Sequence, residues 1–183
     1  MIKTERLILR AWRDSDLPLI AAINGDPVAM RHFPAPMTRE ESDTFVARNR
    51  ARQTEDGFCM WAVEAPGVAS LIGVLGIARI NFEAAFTPGV EIGWRFAPAY
   101  WAKGYATEGA RAALKFGFAQ KALDEILSMT VFENKPSWSV MERIGMTRDL
   151  AGDFDHPRVP DGHRLKRHIL YRLKRSDWAR AQR

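Results

Sequence analysis

The segment Val90–Ala110, VEIGWRFAPAYWAKGYATEGA, combines residue types that could bind an anion. The run Val90–Phe96 predicts a strand, Pro98 ends it, and a helical pattern begins at Gly104. The first amides of a helix have no intrahelical partners and lie at the positive end of its dipole, so they can bind a phosphate. Gly104 would let the anion approach the backbone, and Lys103 adds a mobile cation. Many α/β proteins have a glycine at such a turn, so this pattern alone also fits a purely structural turn.

Other sites for phosphates or metals are not supported by the sequence. No Gly-Lys-Ser/Thr is present, and the glycines do not fit Gly-x-Gly-x-x-Gly. The only cysteine, Cys59, cannot form an intramolecular disulfide or a thiolate zinc site, and it reads as a core residue. The spacing of His156, His163 and His168 matches no metal motif, and a place at a substrate mouth is the less favoured alternative. We expect no metal.

The net charge of +5 is unevenly distributed along the 183 residues. The last 28 residues, His156–Arg183, hold nine Lys or Arg and two Asp, so the rest of the chain is slightly acidic. Such a tail could bind RNA, or steer a polyanionic ligand. The longest apolar stretch, Val68–Ala78, is too short to span a membrane, and no signal peptide is evident. We expect a cytoplasmic protein.

Helical and alternating patterns follow one another along the chain, which predicts an α/β fold in one domain, residues 1–183. Asp14 or Asp16 can begin a first helix that runs to about Asn24, and Thr38–Glu41 reads as a capping box for a second helix. The later helices are predicted over 104–121 and 137–144. The predicted strands are 4–12, 58–64, 71–80, 90–96, 126–132 and 166–173.

The segment WAKGYA, Trp101–Ala106, resembles the Gln/Arg-x-x-Gly-x-Gly/Ala loop of the GNAT superfamily of N-acetyltransferases, with Trp101 in place of Gln or Arg. The wording YWAKGYATE is similar to the RimJ/RimL-type branch, which acetylates ribosomal proteins. Three further segments match that branch in order: TERLILR near the start, the Asn134–Met146 region, and LYRL at Leu170–Leu173. The resemblance therefore covers nearly the whole chain.

This resemblance implies a mixed, mostly antiparallel sheet, flanked by helices, whose fourth and fifth strands splay apart. Acetyl-CoA would be the cofactor. The backbone of Trp94, Arg95, Phe96 and Ala97 would bind its pantetheine arm as an added strand. Its pyrophosphate would lie on the following loop and helix start, and Asn134 would contact the cofactor from the other side. The loop residues are Ala102, Lys103, Gly104, Tyr105, Ala106 and Thr107.

The resemblance also implies two catalytic candidates. Glu91 stands where many relatives carry a general base, acting directly or through water, although it could also be an ordinary solvated glutamate. Many relatives have a tyrosine that protonates the leaving thiolate, but Met141 occupies its place here and cannot donate. Ser137 is the remaining hydroxyl, and it could equally be a helix N-cap. Glu108 reads as a first-turn acid that interacts with the helix dipole.

The favoured function is transfer of an acetyl group to a primary amine by direct attack. A protein or peptide N-terminus is favoured over a small amine, because an α-amine with a pKa of about 7.7–8.0 is partly neutral at pH 7. The alternative is an RNA- or ribosome-binding module with a basic tail and a vestigial acyl-CoA site. Because the tail has few aromatics and no known RNA-binding motif, nucleic acid is not expected as the substrate. No membrane partner is expected, and the chain could be a monomer or a homodimer.

Overall fold

One eight-stranded sheet forms the centre of the computed structural model, which describes residues 1–182. Its strands are β1 (Ile2–Lys3), β2 (Ile8–Arg10), β3 (Met60–Ala65), β4 (Ala69–Arg79), β5 (Val90–Phe96), β6 (Glu125–Thr130), β7 (Thr147–Asp155) and β8 (Arg167–Lys174). Their spatial order is β1-β2-β3-β4-β5-β6-β8-β7. Only β5 and β6 pair in parallel, and the other neighbours are antiparallel. The predicted mixed, mostly antiparallel fold is confirmed.

Helices cover both faces of this sheet. They are α1 (Leu17–Gly25), α2 (Arg39–Glu55), α3 (Tyr105–Lys115), α4 (Lys135–Arg143) and α5 (Arg175–Ala181). The first two helices close a smaller apolar cluster on one face, and the other three pack on the larger cluster on the opposite face. The capping box predicted for α2 is present, because Glu41 N–H donates to Thr38 Oγ1 at 3.2 Å and Thr38 N–H donates to Glu41 Oε2 at 2.8 Å. No helix within residues 1–182 is long and apolar enough to cross a membrane.

The pairing between β5 and β6 is short. Glu91 is in register with Leu127, and the Ser128 hydroxyl donates to the Ile92 carbonyl at 2.9 Å. Beyond this point the ladder stops, so the end of β5 faces a gap. This is the splay expected between the fourth and fifth predicted strands; the structure counts them as β5 and β6 because it adds the edge strand β1.

Small residues bring α3 close to the sheet. Ala110 and Ala113 are fully buried, and a Cβ added to Gly109 would lie 3.0 Å from Leu75 Cδ1. A Cβ added to Gly117 would lie 2.7 Å from Ile126 Cδ1. This face of small residues therefore packs on β4 and β6, and it fixes the start of α3 beside the end of β5.

The structure differs from the predicted elements at several places. Of the first predicted strand, 4–12, the structure forms only Ile8–Arg10. Residues 4–7 form a turn instead, in which Thr4 N–H donates to the Leu7 carbonyl at 2.9 Å. The helix predicted over 104–121 is α-helical only as far as Lys115, and a π-helical turn, Phe116–Gln120, follows it. β7 and α5 were not predicted.

Candidate active site

The loop between β5 and α3 is held in place by the N-terminal segment. Arg6 donates from Nη1 to the Lys103 carbonyl at 3.0 Å and from Nε to Glu108 Oε2 at 2.7 Å, while Thr4 Oγ1 donates to Glu108 Oε1 at 2.6 Å. Burial raises the pKa of Glu108, but the hydrogen bonds from Thr4 and Arg6 outweigh it, so the pKa is lowered overall. The predicted first-turn acid thus also anchors the loop to the chain's first residues.

The same loop presents unpaired amides at the start of α3. Ala102 and Gly104 both have left-handed backbone, with φ of 58° and 82°. Gly104 is the N-cap and provides no side-chain cap, and the first intrahelical bond runs from Glu108 N–H to the Gly104 carbonyl at 3.0 Å. The N–H groups of Tyr105, Ala106 and Thr107 therefore have no intrahelical acceptor. Three uncapped amides at a helix start suit a diphosphate.

A cavity of about 540 Å³ lies between this loop, the end of β5, the start of α4 and the connection between α1 and α2. Most of the predicted site residues line it, namely Trp94, Arg95, Phe96, Ala102, Gly104, Tyr105, Ala106, Thr107, Asn134 and Ser137. Glu91, Ala97 and Lys103 are not among its lining residues. The lining includes the cations Arg31, Arg95, Lys135 and Arg143, and it includes no Asp or Glu. The cavity is therefore suited to an anionic ligand.

Fewer residues of β5 have free backbone groups than the sequence suggested. Ala97 N–H donates to the Ile72 carbonyl of β4 at 3.0 Å, so odd-numbered residues direct their backbone groups toward β4. Trp94 and Phe96 direct theirs into the gap, where the Trp101 indole N–H donates to the Phe96 carbonyl at 2.8 Å. The backbone of Arg95 and Ala97 is thus not free for an added strand. This hydrogen bond anchors the loop to the end of β5. Trp101, which stands in place of the usual Gln or Arg, therefore has a structural role here.

Glu91 lies at the base of the gap, where β5 and β6 still pair. Its side chain is half-buried and shares a face of β5 with Gly93 and Arg95, the face covered by α1 and α2. Burial raises the pKa of Glu91 to about 7, and the positive charges of Arg52 and Arg158 counteract part of that rise. A carboxyl with this pKa is partly protonated at neutral pH and can exchange a proton there.

The start of α4 forms the opposite wall of the cavity. Asn134 is the N-cap residue, and its Nδ2 donates to Thr130 Oγ1 at 3.0 Å. Ser137 lies in the first turn of α4, so it is not the N-cap that its sequence position also allowed. Met141, at the place of the usual tyrosine, is buried in the core and does not line the cavity. A second hydroxyl, Ser139, does line the cavity and was missed by the sequence analysis.

The connection between α1 and α2 forms the remaining wall, which the sequence analysis also missed. Arg31, His32 and Phe33 reach the cavity from this connection, and Arg31 lies over the Trp101 ring at 4.9 Å from its centroid. Burial and nearby arginines lower the pKa of His32. The sequence of this segment has no helical or strand periodicity. Its contact with the cavity depends on the path of an irregular loop, which neighbouring residues do not reveal.

The remaining candidates lie apart from this cavity. The ring centroids of His156 and His168 are 4.9 Å apart. Burial is the main cause that lowers the pKa of His156 to about 4, and the nearby positive charge of His168 contributes to the same shift. Within the described residues, no cluster of three or more His, Cys, Asp or Glu side chains is arranged to hold a metal ion. Cys59 is buried, and this burial raises its thiol pKa to about 12.

Many basic side chains of the tail are paired with acids. Ion pairs link Lys166 to Asp161, Arg167 to Asp155, Arg172 to both Glu125 and Asp149, Arg175 to Asp124, and Arg180 to Asp177. Much of the positive charge that the sequence places here is therefore balanced locally. This reduces the field that the tail would offer to a nucleic acid.

The family model described as "Acetyltransferase (GNAT) domain" matches residues 6–147. Over 178 residues the chain is 30% identical to the uncharacterized N-acetyltransferase YnaD of Bacillus subtilis, covering 97% of this chain and 98% of that protein. A crystal structure of a GNAT-family acetyltransferase from Bacillus anthracis superposes with a TM-score of 0.79 and 32% identity, covering 96% of this chain and 98% of that one. The chain therefore belongs to the GNAT acetyltransferase family, and it is an N-acetyltransferase of that family.

The fold is shared with a more distant structure. The spermidine N-acetyltransferase of Vibrio cholerae, solved in complex with CoA and spermine, has a TM-score of 0.75 and 21% identity, covering 96% of this chain and 99% of that one. At this identity the likeness concerns the fold alone.

Proposed function

We propose that this protein transfers the acetyl group of acetyl-CoA to a primary amine. The observation that carries the proposal is the meeting of two features in one cavity without acidic residues: the uncapped amides of α3 and the unpaired edge of β5. Family membership supplies the reaction class, and the cationic lining supports an anionic cofactor.

The residues present fit coenzyme A. The amides of Tyr105, Ala106 and Thr107 would hold the pyrophosphate, with Lys103 as a nearby cation. The Trp94 backbone would bind the pantetheine arm, and Asn134 would face it from α4. When bound, acetyl-CoA supplies an activated acetyl group. The Trp94 N–H, which points into the gap, is the donor suited to stabilise negative charge on the acyl oxygen.

Glu91 is proposed as the general base. Its pKa of about 7 is well matched to an α-amine, whose pKa is about 7.7–8.0. Because Glu91 does not line the cavity, we propose that it removes the proton through a water molecule. Ser137 is proposed to face the cofactor and to donate the proton to the departing thiolate.

The acceptor is proposed to be a peptide or protein N-terminus in preference to a polyamine. A neutral amine is needed for attack, and an α-amine reaches that state more readily than an alkyl amine with a pKa of about 10.4. The cationic cavity disfavours a polycation such as the spermine held by the Vibrio cholerae structure. The motifs in YWAKGYATE support the RimJ/RimL-type branch as part of the same proposal.

The test is thiol release from acetyl-CoA with a panel of amines that includes peptides, small amines and spermidine. We expect turnover above hydrolysis with at least one acceptor, and acetylation of that acceptor by mass spectrometry. Hydrolysis alone across the whole panel would refute the proposal. The RNA-binding alternative predicts instead a salt-dependent affinity for RNA that is lost when residues 175–183 are removed.

A further inference from the structure

Arg95 is a buried cation without an acidic partner. The side chain is 8% exposed, and its Cζ lies 5.1 Å from the Phe33 ring centroid and 5.3 Å from that of Phe45. Its Nε is enclosed and has no hydrogen-bond partner within residues 1–182. Burial lowers the pKa of Arg95 to about 10, so the guanidinium remains charged at neutral pH. A charge buried in this way destabilises the fold unless something compensates it.

Arg10 shows how the same chain treats a buried arginine that has a structural role. Arg10 is 4% exposed, and its guanidinium donates to Asp16 at 2.7 and 2.9 Å and to Glu64 at 2.7 Å. Arg95 is enclosed to nearly the same degree but meets two aromatic rings in place of carboxylates. Cation–π contacts compensate only a part of the desolvation of a guanidinium. The buried guanidinium of Arg95 therefore lacks an oxyanion partner among residues 1–182.

The side chain of Arg95 lies on the face of β5 that carries the proposed base, Glu91, and not on the face covered by α3. Arg95 shares its face of β5 with Gly93 and Glu91, about 7 and 13 Å away along the strand. This face is covered by α1 and α2, whereas α3 lies on the other face. His32, from the connection between α1 and α2, also lines the cavity, and its buried Nδ1 has no hydrogen-bond partner among residues 1–182. Two unsatisfied polar atoms therefore lie in the wall of one cavity.

We propose that the acceptor is an amine that also carries a carboxylate, and that Arg95 binds this carboxylate. The guanidinium offers a planar fork that matches a carboxylate in a two-bond arrangement. The absence of Asp and Glu from the cavity lining removes any internal competitor for it. A polyamine would instead bring a second positive charge toward Arg95. This inference rests on the proposed function and narrows its acceptor class.

The test compares matched acceptors with and without the negative charge. ε-Aminocaproate is paired with ε-aminocaproamide, in which an amide replaces the carboxylate. A peptide with glutamate at its second residue is paired with the glutamine peptide, and both peptides are amidated at the C-terminus so that the glutamate is their only carboxylate. Cadaverine serves as the dication. We expect the wild-type protein to prefer the carboxylate member of at least one pair by about 10- to 100-fold in kcat/KM, because a hydrogen-bonded charge contributes that much to binding. A preference within the aminocaproate pair would indicate a small-molecule acceptor, and a preference within the peptide pair would indicate a peptide acceptor.

Arg95→Met should abolish the preference, and Arg50→Met is the matched control. Arg50 is an exposed arginine of α2 that pairs with Asp14 outside the cavity, so its variant should keep the wild-type preference. Binding is measured separately by thermal unfolding. The carboxylate ligand should raise the melting temperature of the wild type and of Arg50→Met but not that of Arg95→Met. This readout does not depend on turnover.

The stability of the unliganded variants separates ligand binding from a structural role. Because the Arg95 charge has no acidic partner, Arg95→Met should melt at the wild-type temperature or above it. A marked loss of stability in Arg95→Met and in a second variant, Arg95→Gln, would assign Arg95 to packing and overturn the inference. Equal rates with charged and neutral acceptors in the wild type would also overturn it while leaving the proposed function intact. Absence of acetylation with every amine would instead defeat the proposed function.

Discussion

Replacing Gly104 by alanine should weaken coenzyme A binding far more than it weakens the fold. Gly104 has φ of 82°, where a Cβ costs about 1–2 kcal/mol. The added Cβ would also lie 3.2 Å from Arg6 Nη2, the end of the side chain that anchors this loop. For a chain of this length, that cost corresponds to a fall of about 2–8 °C in melting temperature.

The loss of affinity has a separate cause. A Cβ on Gly104 would keep an anion from approaching the uncapped amides, so at least one charge-assisted hydrogen bond would be lost. That loss corresponds to a rise of about 10- to 100-fold in the Kd for coenzyme A, measured by isothermal titration calorimetry.

Gly67→Ala is the matched control for this experiment. Gly67 has a similar φ of 76°, no atom lies within 4 Å of its added Cβ, and it does not line the cavity. The control should lose a similar amount of stability while keeping the affinity of the wild type. Equal coenzyme A affinity in Gly104→Ala and Gly67→Ala would show that the Gly104 loop does not bind the cofactor.

The other predictions concern three side chains, Glu91, Ser137 and Cys59. Glu91→Gln should lower kcat/KM by about 10²–10⁴-fold and remove the rise in activity through pH 7 that is expected of the wild type; an unchanged pH profile would exclude Glu91 as the base. Because the folded-state pKa of Glu91 is raised, the wild type loses stability as pH rises from about 4.5 to 7, so Glu91→Gln should melt above the wild type at pH 8 and close to it at pH 4, as scanning calorimetry can check. Ser137→Ala should lower kcat without a comparable loss of coenzyme A affinity, with Ser139→Ala as the control; a fall in affinity alone would reduce Ser137 to a binding role. Cys59 should resist iodoacetamide at pH 8 in the native protein and react after denaturation, because burial raises its pKa to about 12; rapid native alkylation, detected by mass spectrometry, would contradict this burial.

The segment from β5 to α3 was predictable because its signals are local. Alternation marks the strand, Pro98 ends it, and Gly104 begins the helix, so the order of strand, loop and helix follows from neighbouring residues. The capping box of α2 was predictable for the same reason. β7 was not, because its sequence, TRDLAGDFD, is polar and contains a glycine, and its pairing with β8 is irregular. Its strand character comes from the neighbouring β8 rather than from its own residues.

The candidate site was predictable in its backbone and less so in its side chains. Strand alternation already places Arg95 on the face of Glu91 and Gly93, but its burial between two aromatic rings depends on Phe33 and Phe45, which are distant in sequence. His32 reaches the cavity only through the path of an irregular connection. The pairing of the tail's basic residues was not predictable for a similar reason, since Arg172 and Arg175 pair with acids of β6, β7 and the turn before β6, which are distant in sequence.

The cavity beside β5 and α3 is proposed to bind acetyl-CoA and to deliver its acetyl group to an amine. The most direct measurement is a single-turnover reaction of the wild-type protein with radiolabelled acetyl-CoA and the best acceptor of the panel, with Gly104→Ala and Gly67→Ala run in parallel. We expect label on the acceptor amine with the wild type and Gly67→Ala, and a strongly reduced yield with Gly104→Ala at subsaturating cofactor. Label that stays on coenzyme A or appears only as free acetate, or equal yields from the two glycine variants, would contradict it.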